Sequence, residues 1–196
     1  MDKTLLKALI AIVFFVSVSG CGSSEDGSEG LGTAGNGGSS SSSLGGSYNI
    51  ISMISDLSVD LNNDGITSTD LLTEVDPSVF NSNIPELEIK PVLYNNQLEE
   101  MMSFYLPHSN ISAISPTNPS GVKFTRNGLG YIYDFDNTTQ TISVDNQNSG
   151  SGITGQMQEV KVVGKNKLKA VFTKSYYDFF VNDWVLLTIT CTYTKI

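Results

Sequence analysis

Oxygen-bearing side chains recur at alternate positions in one short stretch: Asp60, Asn62, Asp64, Ser68 and Asp70, with Gly65 among them. That spacing suits a hard cation. Calcium takes about six to eight oxygens, so a loop that holds it presents carboxylates and amides at every second residue and then turns sharply. Gly65 supplies the turn, because a positive φ costs least without a Cβ. Ile66 would contribute its backbone carbonyl. The expected ligand set is Asp60, Asn62, Asp64, Ile66, Ser68 and Asp70, and the expected ion is Ca2+. No basic residue interrupts the stretch. The competing reading is an Asp-Gly turn whose Asx side chains bond their own backbone.

The run Asp60-Leu61-Asn62-Asn63-Asp64-Gly65 resembles the start of an EF-hand or dockerin loop. It departs at the last ligand position, where the template has a bidentate Glu and this chain has Leu71. Asp70 falls one residue early. A strand pattern, not a helix, leads into the loop. The resemblance therefore implies a shortened calcium loop of weak affinity. Thr67 and Asp70 have capping-box spacing, with Asp in place of Glu, which predicts a helical turn over residues 68–74 ending before Pro77.

Other chemistry is sparse. His108 is the single histidine, beside Pro107 in a turn-rich stretch. A zinc site needs several His or Cys ligands. No nucleophile motif accompanies the Ser, His and Asp residues. Glu99 and Glu100 are adjacent, so in a strand they point to opposite faces and do not act as paired acid and base. The glycines of residues 150–155 lack the Lys and helix of a phosphate loop. Cys191 falls on an apolar face and reads as a buried inert thiol. No catalytic residue is assigned, and no enzymatic activity is expected.

The chain begins with Lys3 and Lys7, then an apolar run over residues 5–18 too short to span a bilayer comfortably. Val18-Ser19-Gly20-Cys21 resembles the lipobox of bacterial lipoproteins. The resemblance implies a signal peptide over residues 1–20 and lipid on Cys21. Residues 21–46 are rich in Gly and Ser, have little apolar content, and are expected to form a disordered linker. Such a linker has an r.m.s. reach of about 25–30 Å. Glu25 and Asp26 are similar to the acidic signals that send lipoproteins to the outer membrane, which implies a lipid-anchored protein facing the cell exterior.

Residues 47–196 are one domain by size. With Cys21 lipidated, Cys191 has no partner for an internal disulfide. The formal net charge is −9, and ten acids face one base between Asp56 and Glu100. That balance disfavours nucleic acid as a partner. Five lysines between Lys161 and Lys174 alternate with apolar residues and read as the wet face of a hairpin.

Within the domain, two-residue alternation dominates. Over residues 48–59, Ile51, Met53, Leu57 and Val59 are predicted to share the buried face. Strands are predicted over residues 87–94, with Pro91 at a sheet edge, over 102–106 and over 111–114. Asn127-Gly128 predicts a tight hairpin between residues 122–126 and 129–135. Further strands are expected over 141–145, 156–163 and 167–173, the last two turning around residues 164–166. Val185, Leu187, Ile189, Cys191 and Tyr193 share a face of the last strand. The aromatics of residues 176–184 are expected to close the end of a core. The predicted class is mostly β: an antiparallel barrel, or alternatively a β-sandwich, with one short helical turn.

Residues 47–76 and 166–196 resemble parts of lipid-anchored, lipocalin-like surface lipoproteins. The resemblance rests on the anchor and linker, the Asp60-to-Leu72 segment and the closing Tyr193-Thr194-Lys195. It implies a barrel without enzymatic activity, acting as a binding or accessory domain for a protein or small-ligand partner. The alternatives are a carrier with an apolar cavity and, less favoured, a glycan hydrolase. If Cys21 is the anchor, Cys21→Ala releases the protein from membranes, since no other apolar anchor is expected after cleavage. Retention of that variant in the membrane fraction would contradict the assignment.

Overall fold

The computed structural model describes residues 43–80, 83–144 and 152–196. Cys21, the expected signal peptide and most of the expected linker lie outside the described residues. The last residues of the expected linker are ordered. Leu44 is buried, and its carbonyl accepts the Tyr48 hydroxyl at 2.6 Å.

The described chain is a nearly closed, eight-stranded antiparallel barrel. Its strands are β1 (Gly46–Val59), β3 (Leu87–Tyr94), β4 (Gln97–Ile111), β5 (Val122–Asp136), β6 (Thr141–Val144), β7 (Gln156–Gly164), β8 (Lys167–Asp178) and β9 (Asp183–Lys195). A three-residue strand, β2 (Ser68–Asp70), pairs with β1 alone. One short helix, α1 (Leu71–Glu74), and a 3-10 turn (Pro77–Val79) complete the fold. The order around the wall is β6-β5-β4-β3-β1-β9-β8-β7. β6 and β7 come alongside each other without forming a ladder. Across that seam the Met157 amide donates to the Tyr131 hydroxyl at 2.9 Å.

Alternate residues fill the interior. Met102, Phe104 and Leu106 of β4, Leu129 and Tyr131 of β5, and Leu168, Ala170 and Phe172 of β8 are buried there. On β9, Leu187, Ile189, Cys191 and Tyr193 are wholly buried, as their spacing predicts. Phe104 lies at the centre, edge-on to Phe172 at 5.2 Å, to Tyr193 at 5.7 Å and to Tyr131 at 6.2 Å between ring centroids. Edge-to-face packing of this kind adds roughly 0.5–1.5 kcal/mol per pair beyond area burial.

Several local expectations are corrected. Ile51 and Leu57 are exposed, whereas Met53 and Val59 are buried. The register of β1 against β9 slips between Ile50 and Ser52, and that bulge shifts the alternation by one residue. A second slip, against β2, lies between Ile54 and Val59. Asn127-Gly128 is not a turn. β5 runs through it, paired to β4 at Leu106 and Tyr105. Gly128 is there for space: a Cβ would come within 3.3 Å of the Tyr105 ring. β4 also runs through Pro107 to Ile111, where a break and a separate strand were predicted. The helical turn is shorter than predicted. Asp70 itself is the N-cap, accepting the Leu72 amide at 3.1 Å, and Ser68–Asp70 is strand.

β3 lines only part of the wall, since it meets β1 at Gly46–Tyr48 alone. The segment from Asp60 to Glu86 occupies the remainder. Its Leu61 and Leu71 join the main core, and Phe80 packs against it. Glu86 ends the segment by bonding both neighbours: its amide donates to Tyr48 at 3.0 Å, and its carbonyl accepts from Tyr105 at 2.8 Å. The facing of β9 makes a direct prediction. Ile189→Asp should unfold the domain, because an unpaired buried carboxylate costs several kcal/mol, whereas Thr190→Asp should lower the melting temperature little. Equal effects would invert the assigned faces.

Candidate binding cleft and the Asp60 loop

The Asp60 loop is built around one buried carboxylate. Asp60 accepts the Asn63 amide at 2.7 Å and the Asp64 amide at 3.3 Å on one oxygen, and the Gly65 amide at 2.9 Å on the other. Asn62 accepts from Asp64 at 3.0 Å, and Asp64 accepts from Ile66 at 2.8 Å. Gly65 has φ +83°, the left-handed turn its lack of a Cβ permits, and Asn63 at φ 61° is left-handed too. The Ser68 hydroxyl accepts the Asp70 amide at 3.0 Å, and Asp70 caps α1. Ile66 is exposed. Asp60, Asn62 and Asp64 are thus brought together, while Ser68 and Asp70 serve β2 and the helix start. Among the described residues, no group of three or more His, Cys, Asp or Glu side chains forms a metal cage.

Two carboxylates that the sequence pattern did not single out hold this loop from outside. The Glu74 side chain, buried, accepts the Leu61 amide at 3.0 Å. Asp178, at the end of β8, accepts the Asp60 amide at 3.0 Å and the Phe180 amide at 2.9 Å. Burial raises the Glu74 carboxyl above its ordinary range, and the Asp64 and Asp60 charges raise it further, against the opposing bond from Leu61. The capping pattern placed Glu74 at a helix end, but no local signal gives its direction. That direction follows from α1 folding back beside β1.

Between this loop and the β4–β5 connection lies an open cleft of about 670 Å³. Asn62, Asp64, Glu74 and Asp76 line one side, and Asn118, Ser120, Lys123 and Phe124 the other. The Asn63 amide group donates to the Ser120 carbonyl at 2.8 Å and ties the two sides together. The cleft is therefore predominantly acidic, with Lys123 its one basic lining residue. A largely buried ion pair lies elsewhere on the wall, between the start of β3 and β5. Arg126 meets Glu86 at 3.0 Å, donates to the Ile84 and Pro85 carbonyls, and lies 5.4 Å from the Tyr105 ring centroid.

Lys174 corrects the reading of the lysines as a uniformly wet face. It is wholly buried, and its ammonium donates to the Ile153 and Thr154 carbonyls. Desolvation lowers it from 10.5 to about 8. Its charge, after burial, also lowers His108, which is partly buried instead of lying exposed in a turn. Cys191 is buried and free, and burial pushes its thiol up to about 12, which makes it inert at neutral pH. The aromatics of residues 176–184 divide. Tyr176 is in the core and donates to the Pro107 carbonyl at 2.7 Å. Tyr177 meets Phe179 and Trp184 edge-on on the outer side, and Phe180 is exposed. Glu99 and Glu100 lie in β4 on opposite faces and form no acid–base pair.

The fold defines a β-barrel protein with a filled interior and an acidic cleft at one rim. Comparison with protein-family models, with curated proteins and with solved structures gave no match.

Proposed function

We propose that the protein is a non-catalytic, lipocalin-like lipoprotein, anchored through Cys21 to the outer membrane and facing the exterior, whose barrel binds a partner at its rim. The reading rests on one observation above all. The axis of the barrel is occupied by Phe104, Phe172, Tyr131 and Tyr193 in edge-to-face contact, while the roomy cleft lies outside it, beside the Asp60 loop. A carrier needs an enclosed apolar cavity for its ligand. The acidic lining of the rim cleft favours a cationic ligand or a basic segment of a partner protein, and disfavours nucleic acid. No pair of carboxylates is placed for glycan hydrolysis by Glu99 and Glu100. The purified protein should show no saturable, one-to-one binding of the apolar dye Nile red. Stoichiometric uptake of the dye would favour the carrier function instead.

The Asp60 loop is in addition a calcium site in this reading, with Asp60, Asn62, Asp64, Ile66, Ser68 and Asp70 as its proposed ligands. The observation favouring it is electrostatic. Asp60 and Asp64 both act on the buried Glu74 carboxyl, and a cation relieves that repulsion. The missing bidentate Glu puts affinity at the weak extracellular end, roughly 10⁻⁴–10⁻³ M. A site tied to the folded state then adds about 1.4–2.7 kcal/mol at ~10 mM calcium. Asp64→Ala should abolish that increment and leave the metal-free protein folded. Identical melting curves in calcium and in chelator would reduce the loop to an Asx turn.

A further inference from the structure

The wall is not laddered all the way round. β6 pairs with β5 only from Tyr133 to Asp136, so on that side β5 has no ladder partner from Val122 to Ile132 among the described residues. β7 pairs with β8 only as far as Gln156 and Thr173, so on that side β8 has none from Lys174 to Asp178. Residues 152–155 touch both margins of this break. On the β8 margin the Ser175 amide donates to the Gly152 carbonyl at 2.7 Å. On the β5 margin Gly155 is buried at φ +100°, where a Cβ would stand 3.5 Å from Leu129, from Leu106 of β4 and from the Lys174 stem. Glycine alone gives that φ without strain and so flush a fit.

The segment is held from beneath by a charge. Lys174 is wholly buried, and its ammonium donates to the Ile153 and Thr154 carbonyls, the latter at 3.3 Å. The ammonium lies 5.3 Å from the Tyr176 ring centroid. Among the described residues no carboxylate forms an ion pair with it. Around it stand Leu187, opposite it on β9, Leu106 and His108 of β4, and Leu129 of β5. Two of these neighbours, His108 and Tyr176, titrate. Burial and the Lys174 charge lower His108 below its ordinary 6.5, and burial raises Tyr176 well above its ordinary range. Between about pH 7 and 9, Lys174, lowered by burial from 10.5 to about 8, is therefore the one of the three whose charge changes.

An isolated ammonium in an apolar surround loses more hydration than two carbonyls and a ring face restore. The contact that fastens residues 152–155 therefore works against a standing cost, and opening relieves it by returning the ammonium to water. Opening leaves the β8–β9 ladder whole, because that ladder is on the other side of β8. Segments with few ladder bonds open well below the free energy of global unfolding.

We propose that residues 152–155 are a strap over a lateral break in the barrel wall, latched by Lys174, which opens while the barrel stays folded and bares Leu106 and Leu129 to the outside. The latch gives the opening a pH dependence. In the closed form burial holds Lys174 at about 8, and in the open form water restores the ordinary 10.5, so the open form binds the proton more tightly. Opening is most frequent below about pH 8 and becomes rarer as the pH rises toward 10.5. The strap is a way into the core apart from the acidic cleft, and neither the Cys21 anchor nor the ligand of the cleft enters into it.

The test is amide hydrogen exchange followed by NMR on the full chain in detergent. The Ser175 amide reports the strap, and the amides of the β8–β9 ladder report the barrel. Ser175 should exchange through an opening about tenfold or more as frequent as that of the ladder. That opening should be about tenfold rarer at pH 9 than at pH 7, once intrinsic exchange rates are divided out. Lys174→Met, which keeps the stem and removes the ammonium, should abolish the pH dependence while the ladder stays protected. Exchange of Ser175 in step with the ladder overturns the proposal, because the strap then opens only when the barrel unfolds. No protection at Ser175 overturns it too, since the strap is then not closed. A local opening that lacks the pH dependence, or keeps it in Lys174→Met, removes Lys174 as the latch and overturns it as well. Should Lys174→Met fail to fold, the comparison of Ser175 with the ladder at the two pH values decides by itself.

Discussion

The fold depends on side-chain alternation that sends one set of residues into a narrow axis. Phe104 touches Phe172, Tyr193 and Tyr131 there, so strands far apart in sequence share one packed centre. Close packing of this kind tolerates little change in volume. It explains why the wall bends as it does. The bulge in β1 brings Met53 inward beside Cys191, and Gly128 yields the room that the Tyr105 ring takes outside.

The second constraint is a short strand. β3 cannot line the whole gap between β1 and β4, because it pairs with β1 at only its first residues. The chain closes the remainder with an irregular segment, and irregular backbone needs partners for its amides. Buried carboxylates provide them. Asp60 gathers three amides, Glu74 takes Leu61, Asp178 takes Asp60, and Glu86 takes Ile50 while pairing with Arg126. Much of the acidity of this half of the chain is therefore structural before it is functional. Of that set Glu74 lines the cleft, whose other acidic lining residues are Asp64 and Asp76.

The molecule has two unlike ends. Acidic loops, the exposed Phe180 and the cleft share one. The entering chain, the lysine-bearing β7–β8 turn, the β3–β4 ribbon and the β5–β6 turn with the exposed Asp134 and Asp136 share the other.

Strand existence, the burial of the Leu187-to-Tyr193 alternates and the turns at Asn95-Asn96 and Gly65 were legible in the amino-acid order, because a two-residue period and the turn chemistry of Asn and Gly are local properties. So was the clustering of Asp60, Asn62 and Asp64 in one loop. Tertiary structure alone decided which strand lies beside which. Asn127-Gly128 has hairpin chemistry, yet β4 holds it extended, since a continuous ladder outweighs a local turn preference. Periodicity likewise mislaid Ile51, at a bulge against β9, and Leu57, within an irregularity against β2, because such breaks are set by the neighbouring strand. Lys174 lies inside and Leu93 lies outside for the same reason. Alternation assigns a residue to a face of its strand, but only the closed barrel determines whether that face, at that height, looks onto a core or onto water.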